Sequence, residues 1–355
     1  FRRLTMPKIR VLVIDDSALI RRLLTAALST DPEIEVVGSA SDPYAAKDKI
    51  NELAPDVLTL DVEMPRMDGL AFLKILMEKR PMPVVMVSTL TTRGAEITLE
   101  ALALGAVDFL EKPTADVIRG MDERLPELLA KIKSAARSRP RAGRARNAAA
   151  KAPAPWTPKR RSAVRQPVIA IGASTGGTEA IFEVLSQMPT NCPGILIVQH
   201  MPPDYTRTFA RRCNDGCAIE VVEGTHNQPV VPGRAYIAPG GCHMRVAQGP
   251  SGLVVTIDQD ERINRHRPSV DALFDSVASV VGDAAVAAIL TGMGSDGAQG
   301  LLHLREVGAY TVAQDKESCV VFGMPREAIA VGAAAKVLPL GEIAGALLEN
   351  AAALD

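Results

Sequence analysis

The order of apolar and polar positions over roughly the first 130 residues alternates between two periods. The apolar run at 9–15, ending in acid, reads as a strand buried on both faces, and further strands are expected at 34–40, 57–61, 84–89 and 108–113. Between them apolar residues recur at helical spacing, as with Leu19, Leu23, Leu24, Ala27 and Leu28 after Ser17. Five such strands interleaved with helices predict a flavodoxin-like, doubly wound parallel sheet. The same punctuation returns from residue 167. An apolar strand at 168–171 runs into a glycine-rich turn and a helix; GILIVQH (194–200) follows, and later AAVAAIL (284–290) enters a second glycine-rich turn. The second region is therefore also expected to be a doubly wound, mainly parallel α/β domain.

Chemistry in such sheets gathers beyond the carboxyl ends of the strands. In the first region those positions are Asp15 and Asp16, Asp61, Ser88 and Thr89, and Lys112. Three carboxylates brought together repel unless a hard cation joins them, and an all-oxygen set suits Mg²⁺. A nearby lysine and hydroxyl could hold phosphoryl oxygens. Solvated acids capping the following helices are the plain alternative, adequate for one Asp but not for matched chemistry at four strand ends.

In the second region Gly172-Ala173-Ser174-Thr175-Gly176 fits G-x-S-x-G, which lifts a serine hydroxyl out on a strand-to-helix turn. The same spacing could cradle a phosphate or open a dinucleotide site. A dinucleotide site calls for an acid at the end of the next strand, and that strand ends in His200, a base. Each of the other histidines (His226, His243, His266 and His303) is individually no better than a hydrogen-bonded structural residue. His200 leads because its strand end should lie beside that of Ser174. Asp296 is the only carboxylate in the turn after the 284–290 strand, where helix capping is the competing role. The chain order Ser…His…Asp differs from the Ser…Asp/Glu…His of α/β-hydrolases, so a different fold would be reaching the same constellation.

Charge sharpens the domain plan. The chain carries 40 Lys+Arg and 41 Asp+Glu, net −1. That balance conceals net −3 over residues 1–133, +10 over 134–166 and −8 over 167–355. The basic strip is rich in Ala, Pro and Ser, holds one aromatic (Trp156), and lacks apolar periodicity, so it reads as a tether between acidic bodies. The acidic bodies and the absence of a recognition-helix module argue against nucleic acid. Expected boundaries are 6–130, 131–166 and 167–355, with residues 1–5 outside the pattern. No run of 18 apolar residues occurs, which argues against membrane insertion, the opening residues lack the apolar core of a signal peptide, and five scattered cysteines suit a reducing, cytoplasmic setting.

With Asp15-Asp16, DVEMPRMDG around Asp61, Ser88 and Lys112-Pro113 in pattern, the first region resembles response-regulator receiver domains. The resemblance implies phosphorylation of Asp61 by a CheA-type histidine kinase, and Mg²⁺ held by Asp15, Asp16, Asp61 and the Glu63 carbonyl. It also implies Ser88, Phe109 and Lys112 as the phosphoryl switch. GASTGG, VQHMP, APGGCHM, HRPSVDALF, TGMGSDGA and SCVVFGMPREA make residues 167–355 similar to the CheB chemotaxis protein-glutamate methylesterases. That likeness implies Ser174 as nucleophile, His200 as base and Asp296 as orienting acid, with Thr175 and Met293 as oxyanion partners. It further implies demethylation and deamidation of chemoreceptor helices, with no cofactor for the ester chemistry. A phospho-switched binding protein with a vestigial triad, and a nucleic-acid-binding regulator, are the competing classes.

Overall fold

A computed structural model of the 355-residue chain describes residues 7–88, 92–112, 117–138, 156–157 and 166–353. Thr89, Pro113, residues 1–5 and most of the basic strip lie outside the described residues. The chain divides into two compact units, Phe1–Arg146 and Asn147–Asp355.

In the first unit the elements are β1 (Ile9–Ile14), α1 (Ala18–Ser29), β2 (Ile34–Ala40), α2 (Pro43–Leu53), β3 (Val57–Asp61), α3 (Gly69–Lys79), β4 (Val84–Ser88), α4 (Thr92–Leu104), β5 (Asp108–Glu111) and α5 (Val117–Arg137). The sheet order β2-β1-β3-β4-β5 is parallel throughout. β3, β4 and β5 are buried along their whole length, as parallel strands covered on both faces are. Chain order reverses between β1 and β3, the crevice where such sheets bind ligands. Gly69 is required there: a Cβ at this position would lie 1.9 Å from the Asp61 carbonyl oxygen. The expected domain boundary at 130 falls inside α5, which continues to Arg137 and buries Ile132 and Ala135.

The second unit continues with β6 (Val168–Ala173), α6 (Gly177–Leu185), β7 (Gly194–Gln199), α7 (Tyr205–Gly216), β8 (Glu220–Glu223), β9 (Gln228–Pro229) and β10 (Arg234–Ile237). Next come β11 (His243–Gly249), β12 (Gly252–Asp258), α8 (Val270–Val280), β13 (Ala285–Ile289), α9 (Ala298–Glu306), β14 (Tyr310–Gln314), α10 (Met324–Ala330), β15 (Lys336–Leu338) and α11 (Leu340–Ala353). A seven-stranded sheet runs β15-β14-β13-β6-β7-β10-β8, every pairing parallel. An antiparallel sheet β11-β12-β9 stands apart. The central strands β13, β6 and β7 are wholly buried. Helix α8 packs close to them: a Cβ on Gly172 would come within 2.2 Å of Val270. Here chain order reverses between β6 and β13, again defining a crevice at the strand ends.

Trp156, the lone aromatic of the basic strip, is fastened to this second unit. Its N–H donates to Asn191 Oδ1 (2.9 Å), its carbonyl accepts from Asn191 Nδ2 (2.6 Å), and its indole N–H donates to the Leu348 carbonyl (3.0 Å).

Candidate functional sites

In the first unit, Asp15 and Asp16 follow β1 and Asp61 ends β3, so parallel pairing of these neighbours converges their carboxylates. One oxygen from each lies within 4.8 Å of the others. Lys112, just past β5, reaches in: its Nζ is 2.9 Å from Asp15 Oδ2 and 2.7 Å from Asp61 Oδ1. The Glu63 N–H donates to Asp61 Oδ1 at 3.3 Å. Asp61 Oδ2, by contrast, is buried without a hydrogen-bond partner. Burial pushes the Asp61 carboxyl up to about 6; Lys112 opposes the shift and the Asp15 charge adds to it. A closely grouped, all-oxygen donor set with one orphaned buried oxygen fits a hard divalent cation of the Mg²⁺ kind.

Ser88 is buried at the end of β4, and its carbonyl accepts from the Lys112 N–H at 2.6 Å. Phe109 is buried on β5, away from these strand ends. One contact to it was not anticipated. Lys131 of α5 lies 4.9 Å over the Phe109 ring, donates to the Phe109 carbonyl, and pairs with Asp108 at 3.1 Å. The neighbouring Asp108 and Glu127 charges hold its ammonium above the usual lysine range despite burial, which acts the other way.

In the second unit, Ser174 follows β6, His200 follows β7 and Asp296 lies in the turn after β13, three adjacent strands. The β6–β7 register pairs Ala173 with Gln199, and His200 N–H donates to the Ala173 carbonyl at 3.1 Å, placing Ser174 and His200 side by side. Gly176, at φ 76°, takes the left-handed conformation that ends the tight turn before α6. The Ser174 N–H donates to the Thr291 carbonyl (3.0 Å), so it is not an oxyanion donor. Thr175 is buried, its carbonyl accepting from Thr291 Oγ1 at 3.0 Å. Met293 lies in the same turn as Asp296. The adjoining Gly292 carbonyl accepts from the Gly323 and Met324 N–H groups, which ties that turn to α10.

His200 Nε2 is 2.7 Å from Asp296 Oδ2. An ionised Asp296 accepts only, so in the neutral ring the proton sits on Nε2 and the lone pair on Nδ1. Nδ1 is buried without a hydrogen-bond partner, so it is the ring nitrogen left open to take a proton.

Asp296 is 1% exposed and saturated with donors. Besides His200, Oδ2 accepts from the Val270 N–H (2.6 Å). Oδ1 accepts from Ser269 Oγ (2.7 Å), Asn264 Nδ2 (2.8 Å) and the Asp271 N–H (3.4 Å). The helix-capping alternative is thus half realised: Asp296 sits at the N-terminus of α8 rather than of its own following helix, whose N-cap is Gly297. Burial alone would raise its carboxyl, but His200, Asn264 and the Val270 N–H hold it well below the usual carboxylate range. Asp271, linked through Asn264 Nδ2 (2.6 Å) and the Gly300 N–H (2.7 Å), is instead raised, chiefly by burial.

The sequence reading did not single out Asn264, Ser269 or Asp271 as site residues, and it discounted His266. His266 stacks on His200 with ring centroids 3.7 Å apart and planes within 6°. The available signal was Ser269 before a helical run, an N-cap signature. Its hydroxyl accepts from the Ala272 N–H. His243 bridges the Glu261 carbonyl and the Ser269 N–H inside the core, His226 accepts from the Ile257 N–H, and His303 pairs with Asp275 at the surface.

Fold and strand-end chemistry together define a receiver-type domain followed by an α/β domain whose adjacent strand ends carry serine, histidine and aspartate. Residues 169–347 match the CheB methylesterase family and residues 11–119 the response regulator receiver domain. The chain is 54% identical over 350 residues to a protein-glutamate methylesterase/protein-glutamine glutaminase of Chromohalobacter salexigens, covering 99% of this chain and 98% of that protein. It is 51% identical over 344 residues to protein-glutamate methylesterase/protein-glutamine glutaminase 2 of Pseudomonas aeruginosa, covering 97% of each. The Thermotoga maritima CheB methylesterase catalytic domain superposes at TM-score 0.51 with 38% identity, over 52% of this chain and 99% of that one. This chain belongs to the CheB methylesterase family. Among the described residues no helix is long and apolar enough to cross a membrane.

Proposed function

We propose that this protein is a phosphorylation-activated serine hydrolase acting on chemoreceptors in the cytoplasm. It hydrolyses γ-glutamyl methyl esters on receptor helices, releasing methanol, and deamidates receptor glutamines. The observation that carries the reading is the donor-saturated Asp296 holding Nε2 of His200 while Nδ1 stays unpartnered, on a strand end that neighbours the one carrying Ser174.

Ser174 Oγ attacks the ester carbonyl carbon as His200 Nδ1 takes its proton. Asp296 stays ionised and supports the imidazolium through Nε2–H. The Met293 N–H and the Thr175 side chain hold the oxyanion, each such donor contributing about 3 kcal/mol when preorganised. Collapse of the tetrahedral intermediate breaks the C–O bond, and the leaving methoxide takes the proton from Nδ1 as methanol. Water then attacks the acyl-serine with His200 again as base, leaving a glutamate carboxyl group and free Ser174. With a glutamine side chain the leaving group is ammonia.

In the receiver, Asp61 accepts a phosphoryl group from a CheA-type histidine kinase. Asp15, Asp16, Asp61 and the Glu63 carbonyl would hold Mg²⁺, which neutralises phosphoryl charge when bound. Lys112 pairs with a phosphoryl oxygen, and Ser88 and Phe109 respond to it. The receiver includes α5 and so runs to Arg137, the hydrolase occupies 167–355, and the basic residues between tether them.

Ser174→Ala abolishes methanol release from a methylated receptor fragment while leaving the unfolding transition unchanged. Substantial residual release would remove Ser174 from its role. In the parent protein, phosphodonor with Mg²⁺ raises the rate, and Asp61→Asn loses that response. A parent rate indifferent to phosphodonor would contradict the regulation.

A further inference from the structure

The segment between β12 and α8 closes on itself. Ile263 N–H donates to the His266 carbonyl (3.2 Å) and His266 N–H to the Ile263 carbonyl (2.8 Å). The two residues between, Asn264 and Arg265, have φ of 51° and 69°. Paired positive φ values are the signature of a type I′ turn. Asn tolerates this conformation; Arg does so only against its steric preference. Such a turn held at a strand-end crevice is the local strain that surrounding structure maintains at functional sites.

Two side chains of this single turn reach the histidine and the acid of the second unit. Asn264 Nδ2 carries two N–H groups and meets two carboxylates, Asp296 Oδ1 at 2.8 Å and Asp271 Oδ2 at 2.6 Å. A neutral amide satisfies both acids at once, which a carboxylate or an aliphatic side chain there cannot do. His266 lies flat against one face of His200 at 3.7 Å. A ring covered on one face and hydrogen-bonded at Nε2 is restricted in rotation about its Cβ–Cγ bond, and Nδ1 keeps its direction.

We propose that the 263–266 turn is a positioning clamp for the triad, in which Asn264 fixes Asp296 and His266 fixes His200. Both act through others, so their loss lowers the rate of the chemical step while substrate binding is retained. The inference rests on the assignment of Ser174, His200 and Asp296 made above.

The test is steady-state methanol release from methylated receptor by the full chain, with Ser174→Ala as reference. His266→Ala is expected to lower kcat about tenfold with KM within about twofold, the pattern of a lost transition-state contribution. His266→Phe, which restores a flat face without a titrating nitrogen, should keep kcat within about threefold of the parent. Asn264→Ala should again lower kcat about tenfold, and Asn264→Asp, which brings a third carboxylate against Asp271 and Asp296, should lower it further. Nitrogen NMR of His200 should show the Nε2-protonated tautomer in the parent and a mixture in Asn264→Ala. Parental kcat in both alanine variants, alongside an inactive Ser174→Ala, overturns the clamp and leaves the triad standing. An effect confined to KM, or a His266→Phe as impaired as His266→Ala, also overturns it. An active Ser174→Ala instead overturns the triad assignment itself.

Discussion

Both units place a buried carboxylate beyond the ends of parallel strands where chain order reverses, and set it in opposite ways. Asp61 of the first unit is 2% exposed with one oxygen unpartnered, and its acid strength is weakened to about 6. Asp296 of the second unit is equally buried, yet donors fill both oxygens and its carboxyl is held low. Burial is the same; the neighbouring donors and charges, with Asp15 beside Asp61 and His200, Asn264 and the Val270 N–H around Asp296, decide the sign. An under-satisfied carboxylate gains by acquiring a cation or a phosphoryl group. A saturated one keeps its charge and can only orient and stabilise a neighbour.

The largest effect expected from breaking this contrast is at Asp296. Asp296→Asn replaces an oxygen acceptor with a donor facing His200 Nε2, favouring the wrong tautomer, and kcat for methanol release should fall roughly 10⁴-fold. Measurement of kcat with the variant's folding checked by circular dichroism decides it; a loss under tenfold would mean that the acid does not orient the base.

Asp61→Asn should act in the reverse sense on stability. The folded-state carboxyl is raised, so its cost to folding is absent below the unfolded value near 3.8. The cost grows as pH rises from there to about 6, and is complete above that. At pH 7.5 without metal, the variant should gain roughly 3 kcal/mol in the receiver's unfolding transition, with the gain vanishing below about pH 4. Denaturant melts of the full chain across pH would show it; a destabilised variant at pH 7.5 would mean that the Lys112 pairing outweighs burial.

A smaller effect is expected at Ser269, which both caps α8 and donates to Asp296. Ser269→Ala should cost about 1 kcal/mol of stability, as cap removal commonly does. Methanol release should fall only a few-fold, because His200, Asn264 and two backbone N–H groups still hold the acid. A loss as deep as that of Asp296→Asn would show that the donors act as an indivisible set.

Much of this architecture was legible in the chain. β1, β3, β4, β6, β7 and β13 are largely buried and mostly apolar, so the polar residues at or just past their ends stand out: Asp15, Asp61, Ser88, Ser174 and His200. Asp296 was found the same way. The supporting residues were not, because they belong to no strand end. Asn264 and His266 come from a tight turn, and Ser269 and the Val270 N–H from the start of α8, brought to Asp296 by packing of α8 over β6 and β7. One-dimensional periodicity carries no trace of that approach. His266 offered only a histidine between two arginines, while its partner across the stack lies far away in sequence. Lys131 was hidden for a similar reason. It belongs to α5, where a lysine reads as solvated, yet it reaches Phe109 and Asp108 under the sheet.

The contrast between the two carboxylates is tested most directly by a carbon-13 carboxyl titration of the full-length protein in the absence of divalent metal. Asp61 should titrate near 6, and Asp296 should remain ionised to the acid limit of the folded state. Coincident titration of both groups at about 4, the ordinary carboxylate value, would contradict the account.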